Sequence, residues 1–263
     1  MLFRSNASSW ALVYQQQDVQ EDSIFAPACV QGSINGMRKR GPLKPGVPGH
    51  PKEEGPMYTI MGLDPAMSGR TGAVMYSVNR QTGKRYVLDV VNMSDPTPQK
   101  IQQLIEDWVT LYMPQELRIE INAHQKAYAL DNDLRTYLAN TGVRFSSQFT
   151  GKNKWDTSFG VAAMSQLFGT LRNSVFQKDN HIELPSQEGS EGIKSLIQQL
   201  ITWKPDTRGP TDCVMALWFC EIRAREIITG GSSSQTHIKN RWATRNQLDR
   251  RYQINVSDYE EGY

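Results

Sequence analysis

The chain has 263 residues, a formal net charge of +2, and 21% charged against 38% hydrophobic residues. It is long enough for a substantial core plus extensions, and its near-neutral balance requires any nucleic-acid surface to be local. No long apolar run or charged-then-apolar leader is present, so the expectation is a soluble, intracellular protein without a membrane span.

The three cysteines, Cys29, Cys213 and Cys220, show no CxxC spacing. Cys213 and Cys220 share a helix face about 10 Å apart by rise, too far for a disulfide. They read as core thiols of a reducing compartment.

Residues 1–56 read as a largely extended N-terminal region. The apolar patch Trp10 to Tyr14 suggests the end of a preceding structure. The Gly-, Pro- and Arg-rich stretch 31–56 has the composition of a linker. From Met57 the pattern becomes regular. Strands are expected over 57–63, 73–78 and 86–91, the last two joined by turn residues at 79–83. Ile101, Leu104, Ile105, Trp108 and Leu111 predict an amphipathic helix over 97–112. A strand over 117–121, a helix over 123–140 and a strand over 143–149 come next. Helices are then expected over 159–176, 192–203 and 212–228, the last ended by Gly230-Gly231. Residues 231–263 are expected to form a flexible tail.

This order, an antiparallel meander followed by strand–helix–strand units, predicts an α/β fold. Its mixed central sheet has five or more strands, with helices on both faces. It is the order of a ribonuclease H-like domain, here over 57–230.

Three acids fall at element ends. Asp64 closes the first strand, before Pro65 and a small-residue turn. On its own it also suits a turn former. Glu120 lies in a strand that should be apolar on both faces, which asks for a metal, a cation or an exposed strand tip. Asp212 opens an apolar helix, where it suits a cap but is costly to bury unless paired or metal-bound. Three carboxylates suit hard ions such as Mg²⁺ or Mn²⁺. Two such ions can activate water and stabilise the leaving oxygen in phosphodiester hydrolysis. No Cys/His cluster suggests zinc, and no GxxxxGK[ST] loop is present.

Lys152, Lys154 and Arg144, around the fifth strand, and Arg70, after Asp64, are candidate phosphate contacts that would position DNA without reading its sequence. His124 and Gln125 are candidate supports near Glu120. Trp155 suits a packing anchor better than a stacking platform, and Asp156 suits a helix cap.

Four segments carry a resemblance: Met61-Gly62-Leu63-Asp64-Pro65-Ala66, Ile119-Glu120-Ile121-Asn122-Ala123-His124-Gln125, Asn153 to Val161, and Asp212 opening its helix. Together they resemble the nuclease domain of tailed-bacteriophage large terminases, over about 57–230. The resemblance implies a ribonuclease H-like endonuclease that cuts concatemeric viral DNA during genome packaging. It implies that Asp64, Glu120 and Asp212 bind two Mg²⁺ or Mn²⁺ ions. Implied partners are double-stranded DNA, an upstream ATPase motor domain, the portal or procapsid and a small terminase subunit, in the host cytoplasm. Many relatives have clustered acids where this chain has Thr211-Asp212-Cys213, which leaves a fourth ligand open. Alternatives are another ribonuclease H-like nuclease (a junction resolvase or transposase-like enzyme) and a non-catalytic DNA- or capsid-docking module.

Overall fold

The computed structural model describes residues 23–52, 55–65, 69–120, 132–156, 158–205 and 209–230, without the side chains of 152 and 153. The expected tail over 231–263, residues 1–22 and the candidates His124 and Gln125 lie outside the described residues. The chain divides into two compact units, Met1–Ala224 and Arg225–Tyr263, and the sheet and the candidate acids belong to the first. Among the described residues no helix is long and apolar enough to cross a membrane.

Helix α1 (Pro27–Gly32) and strand β1 (Ile34–Asn35) come first. The meander is next: β2 (Met57–Asp64), β3 (Arg70–Asn79) and β4 (Arg85–Ser94). Then come α2 (Pro98–Tyr112), β5 (Glu116–Glu120), α3 (Asn132–Asn140) and β6 (Arg144–Gln148). Two 3₁₀ turns, Lys152–Trp155 and Ala162–Phe168, lead to a small hairpin, β7 (Leu171–Arg172) and β8 (Val175–Phe176). Strand β9 (Ile182–Pro185), helix α4 (Glu191–Thr202) and helix α5 (Asp212–Gly230) complete the order.

The main sheet has seven strands in the order β1-β9-β4-β3-β2-β5-β6. Strands β2, β3 and β4 are antiparallel neighbours, and β5 and β6 extend the sheet parallel to β2. This is the ribonuclease H-like arrangement that the element order predicts.

Strand alternation divides the chemistry between the two faces. Met61, Leu63, Ala73, Met75, Leu117 and Ile119 turn to one side and build a core with Ile101, Ile105 and Trp108 of α2 and Leu134 and Leu138 of α3. Residues on the other side meet α5. A Cβ on Gly62 would fall 2.2 Å from the Ala216 carbonyl oxygen, and one on Gly72 would fall 2.3 Å from the Asp212 backbone. The helix therefore rests backbone to backbone on β2 and β3. Helix α4 lies on the same side, where a Cβ on Gly192 would strike the Val90 carbonyl.

Two buried polar clamps hold α5 in register. Glu221 accepts two bonds from the Arg85 guanidinium, both 2.9 Å, and one from the Tyr76 hydroxyl at 2.8 Å. Glu116, wholly buried in β5, pairs with Arg118 at 3.3 Å and with Arg223 at 2.8 Å, and accepts from Tyr58.

Two expectations need correction. The Gly/Pro-rich stretch 31–56 is not wholly extended linker. Strand β1 pairs in parallel with β9, and Arg38 is fully buried. The Arg38 guanidinium donates to the Glu183 carboxylate at 2.7 Å and to the Val87 carbonyl at 2.9 Å, which gives this segment a partner that composition does not reveal. The helix expected over 159–176 is instead a 3₁₀ turn and the β7–β8 hairpin. Gly169 at φ 91°, Asn173 at φ 50° and Ser174 at φ 61° are left-handed positions, which stop a helix and suit a tight two-residue hairpin turn.

All three cysteines are buried and unpaired. Burial pushes the Cys213 thiol up to about 12 and also raises Cys29 and Cys220. Ellman's reagent at pH 8 should therefore find no reactive thiol in the folded protein and three after unfolding. Glu221→Ala strands Arg85 in the interior, and should cost about 3–5 kcal/mol in chemical denaturation, as for other broken buried pairs.

Candidate active site

Asp64 and Glu120 end adjacent parallel strands. Leu63 is in register with Ile119, so each acid lies one residue beyond that pair, on the α5 side of the sheet. Asp64 is also the cross-strand partner of Gly72. Because the Asp212 backbone rests on Gly72, the start of α5 is brought to the same end of the sheet. Three acids far apart in the chain are therefore brought towards the same end of the sheet, with Asp64 and Glu120 in contact and Asp212 at the start of α5.

Their electrostatics reflect this crowding. Burial, a hydrogen bond to Glu120, and the negative charges of Glu120 and Asp212 push Asp64 well above the usual carboxylate range; Lys154 partly opposes them. Burial also raises Asp212, with a contribution from Glu120, while its own backbone N–H and Arg70 pull it down. Glu120 itself is buried, at 7% exposure. Two like-charged carboxyls in contact are held apart from ionisation by their own repulsion, unless a proton or a cation intervenes.

Asp212 is relieved of much of the capping work. The amides of Cys213 and Val214 donate to the Gln199 side-chain oxygen at 2.9 and 3.3 Å, so α4 supplies a cap for α5.

The donors are hard carboxylate oxygens, a set that suits Mg²⁺ or Mn²⁺. Their mutual repulsion is what a divalent cation would relieve. Among the described residues, no three His, Cys, Asp or Glu side chains already close round one point as a ligand set. Asp64 and Glu120 are in contact, and Asp212 faces them through its charge.

The basic candidates divide. Lys154 acts on Asp64, and its ammonium lies 4.6 Å from the centre of the Trp155 ring. Arg70 is exposed beside Asp212. Arg144 opens β6 opposite Glu116, at the far end of the strand from Glu120, so it is not brought to the acids. For Lys152 only the backbone is described.

Trp155 is 45% exposed and lies against Trp203 at 6.2 Å between ring centres, so it is only partly the packing anchor expected. Asp156 does not cap a regular helix. It accepts from the amides of Ser158 and Phe159 and folds the loop back on itself. Trp218 of α5 pins that loop through a 2.9 Å bond from its indole N–H to the Phe159 carbonyl.

Sequence reasoning missed Gly62, Gly72 and Gln199. The signal available was glycine within apolar strands, which marks a close backbone approach.

No family model matches the chain, and no curated protein matches it. Among solved structures it is similar to the human cytomegalovirus terminase nuclease domain, solved Mn-soaked with an inhibitor bound. That match has 16% identity, covers 65% of this chain and 82% of that one, and has a TM-score of 0.43. The phage P22 large terminase nuclease domain matches at 12% identity over 79% of this chain and 97% of that one, with a TM-score of 0.46. The large terminase nuclease of thermophilic phage G20c, solved with bound magnesium, matches at 11% identity over 76% and 96%, with a TM-score of 0.43.

Because the fold binds a proton at Asp64 more tightly than the unfolded chain does, this carboxyl favours the folded state at low pH. That contribution is lost as pH rises from the ordinary carboxylate range through the raised value. In EDTA, Asp64→Asn should therefore melt above wild type at pH 8, with the gap narrowing towards pH 4. Equal melting temperatures at pH 8 would count against the crowding.

Proposed function

We propose that the chain is a metal-dependent DNA endonuclease that cuts concatemeric viral DNA during packaging, with low sequence preference. The observation that supports this reading is that Asp64, Glu120 and Asp212 lie towards one end of the sheet, where burial and then the charges of Glu120 and Asp212 raise the Asp64 carboxyl. A structural role gives no reason to gather three acids where each raises the cost of the next. The resemblance of the Asp64, Glu120, Asn153–Val161 and Asp212 segments to terminase nucleases supports the same reading.

In this proposal Asp64, Glu120 and Asp212 hold two Mg²⁺ or Mn²⁺ ions. When bound, the ions supply an activated water and stabilisation of the leaving oxygen. The chain's own residues orient that chemistry. Gly72 fixes where Asp212 enters, and Gln199 holds the first turn of α5. Lys154 and Arg70 bring positive charge to Asp64 and Asp212, where a scissile phosphate would be drawn in. Double-stranded DNA is the proposed substrate. An ATPase motor, a portal or procapsid and a small terminase subunit are the proposed partners, in the host cytoplasm.

The test is plasmid cleavage by the purified chain in Mn²⁺ or Mg²⁺. Wild type should nick or linearise the plasmid, and EDTA should stop it. Asp64→Ala, Glu120→Ala and Asp212→Ala should each lower the rate by at least on the order of a hundredfold, with circular dichroism unchanged. Full activity in all three variants would sink the proposal.

A further inference from the structure

Beside the acids lies an open cleft of about 650 Å³, between the end of β4, one face of α4 and the residues leading into α5. That volume is within the usual range of ligand sites, about 300–1,000 Å³. Its walls include Arg70, Asn92, Gln187, Lys194, Gln198 and Pro210. Among the described residues that line it there is no carboxylate, and two are cations, Arg70 and Lys194.

Lys194 and Gln198 are one helical turn apart, so both present to the cleft from the same face of α4. Lys194 is exposed, and its ion pair with Glu191 is a surface pair, 2.7 Å long, that a phosphate can compete with. The Asn92 side-chain oxygen is shielded from solvent and finds no hydrogen-bond partner among the described residues. Arg70 lines the cleft and its charge also acts on Asp212, so one residue links the cleft to the acids.

We propose that this cleft seats one strand of DNA leading away from the acids, with its phosphates held between Arg70 and Lys194 and its sugar–base edge against the amide of Gln198. The proposal rests on the nuclease reading for its choice of polymer. It adds α4 as a binding surface beside Arg70.

The experiment is fluorescence anisotropy of a labelled single-stranded oligodeoxythymidylate in EDTA, over a salt series, with plasmid cleavage in Mn²⁺ run in parallel. Wild type should bind. Lys194→Glu should weaken binding by about tenfold, and Lys194→Gln should lower the salt slope by about one, both with unchanged melting temperature. Wild-type affinity and slope in both variants would overturn the cleft assignment and leave the nuclease reading standing. Binding that falls in the variants, from a wild type that cuts nothing, would keep the cleft and sink the nuclease reading. A wild type that does not bind the strand overturns the cleft outright.

Discussion

Helix α5 lies on the sheet at backbone distance, and the site depends on that approach. Gly62 and Gly72 are the two places where the sheet lets the helix down, since a single methyl at either would fall within about 2.3 Å of α5 backbone atoms. Gly72 is paired with Asp64 across the strands, so the contact that seats the helix also delivers Asp212 to the first acid. Cys220 fills the space further along, its thiol 3.7 and 3.8 Å from the carbonyls of Val74 and Ile60. A close approach of this kind cannot slide by a residue without collision, so position along the helix becomes position at the site.

Such packing places a helix but gives it little directional hold. The hold comes from charge. Glu221 with Arg85 and Tyr76, and Glu116 with Arg118 and Arg223, are ion pairs and hydrogen bonds that tie α5 to β3, β4 and β5. Buried pairs of this sort add little net stability over an apolar substitute but penalise any register in which a partner is missing. They lie two or more turns from Asp212, towards the other end of the helix, and so fix its entry point from a distance. The acid cluster then carries the strain: its members repel one another, and the clamps and glycines keep them together.

The strands of the meander were legible because each is a short apolar run and the turn at 79–83 carries its own chemistry. Asn79 accepts from the amides of Gln81 and Thr82, as a turn former should. The β7–β8 hairpin was not legible, because Leu171, Val175 and Phe176 continue an apolar spacing that also suits a helix. Left-handed backbone at Asn173 and Ser174 decided the matter locally. Strands β1 and β9 are short, and their existence depends on pairing partners and on the burial of Arg38, neither of which is written in local pattern.

The site was half legible. Alone, Asp64 suited a turn former, Asp212 a cap and Glu120 a cation partner or strand tip, and only the register of β2 against β3 and β5, with α5 seated on Gly72, brings them to one end of the sheet. The same register removed Arg144 from the site, since proximity in sequence to β6 says nothing about which end of the strand a residue occupies. The central claim is that the three acids form one cation site. Diffraction from crystals soaked in Mn²⁺ tests it most directly, through the metal's anomalous signal. The expected result is peaks touching Asp64, Glu120 and Asp212 together. Carboxylates that stay apart in the soaked crystal, with no peak between them, would contradict it.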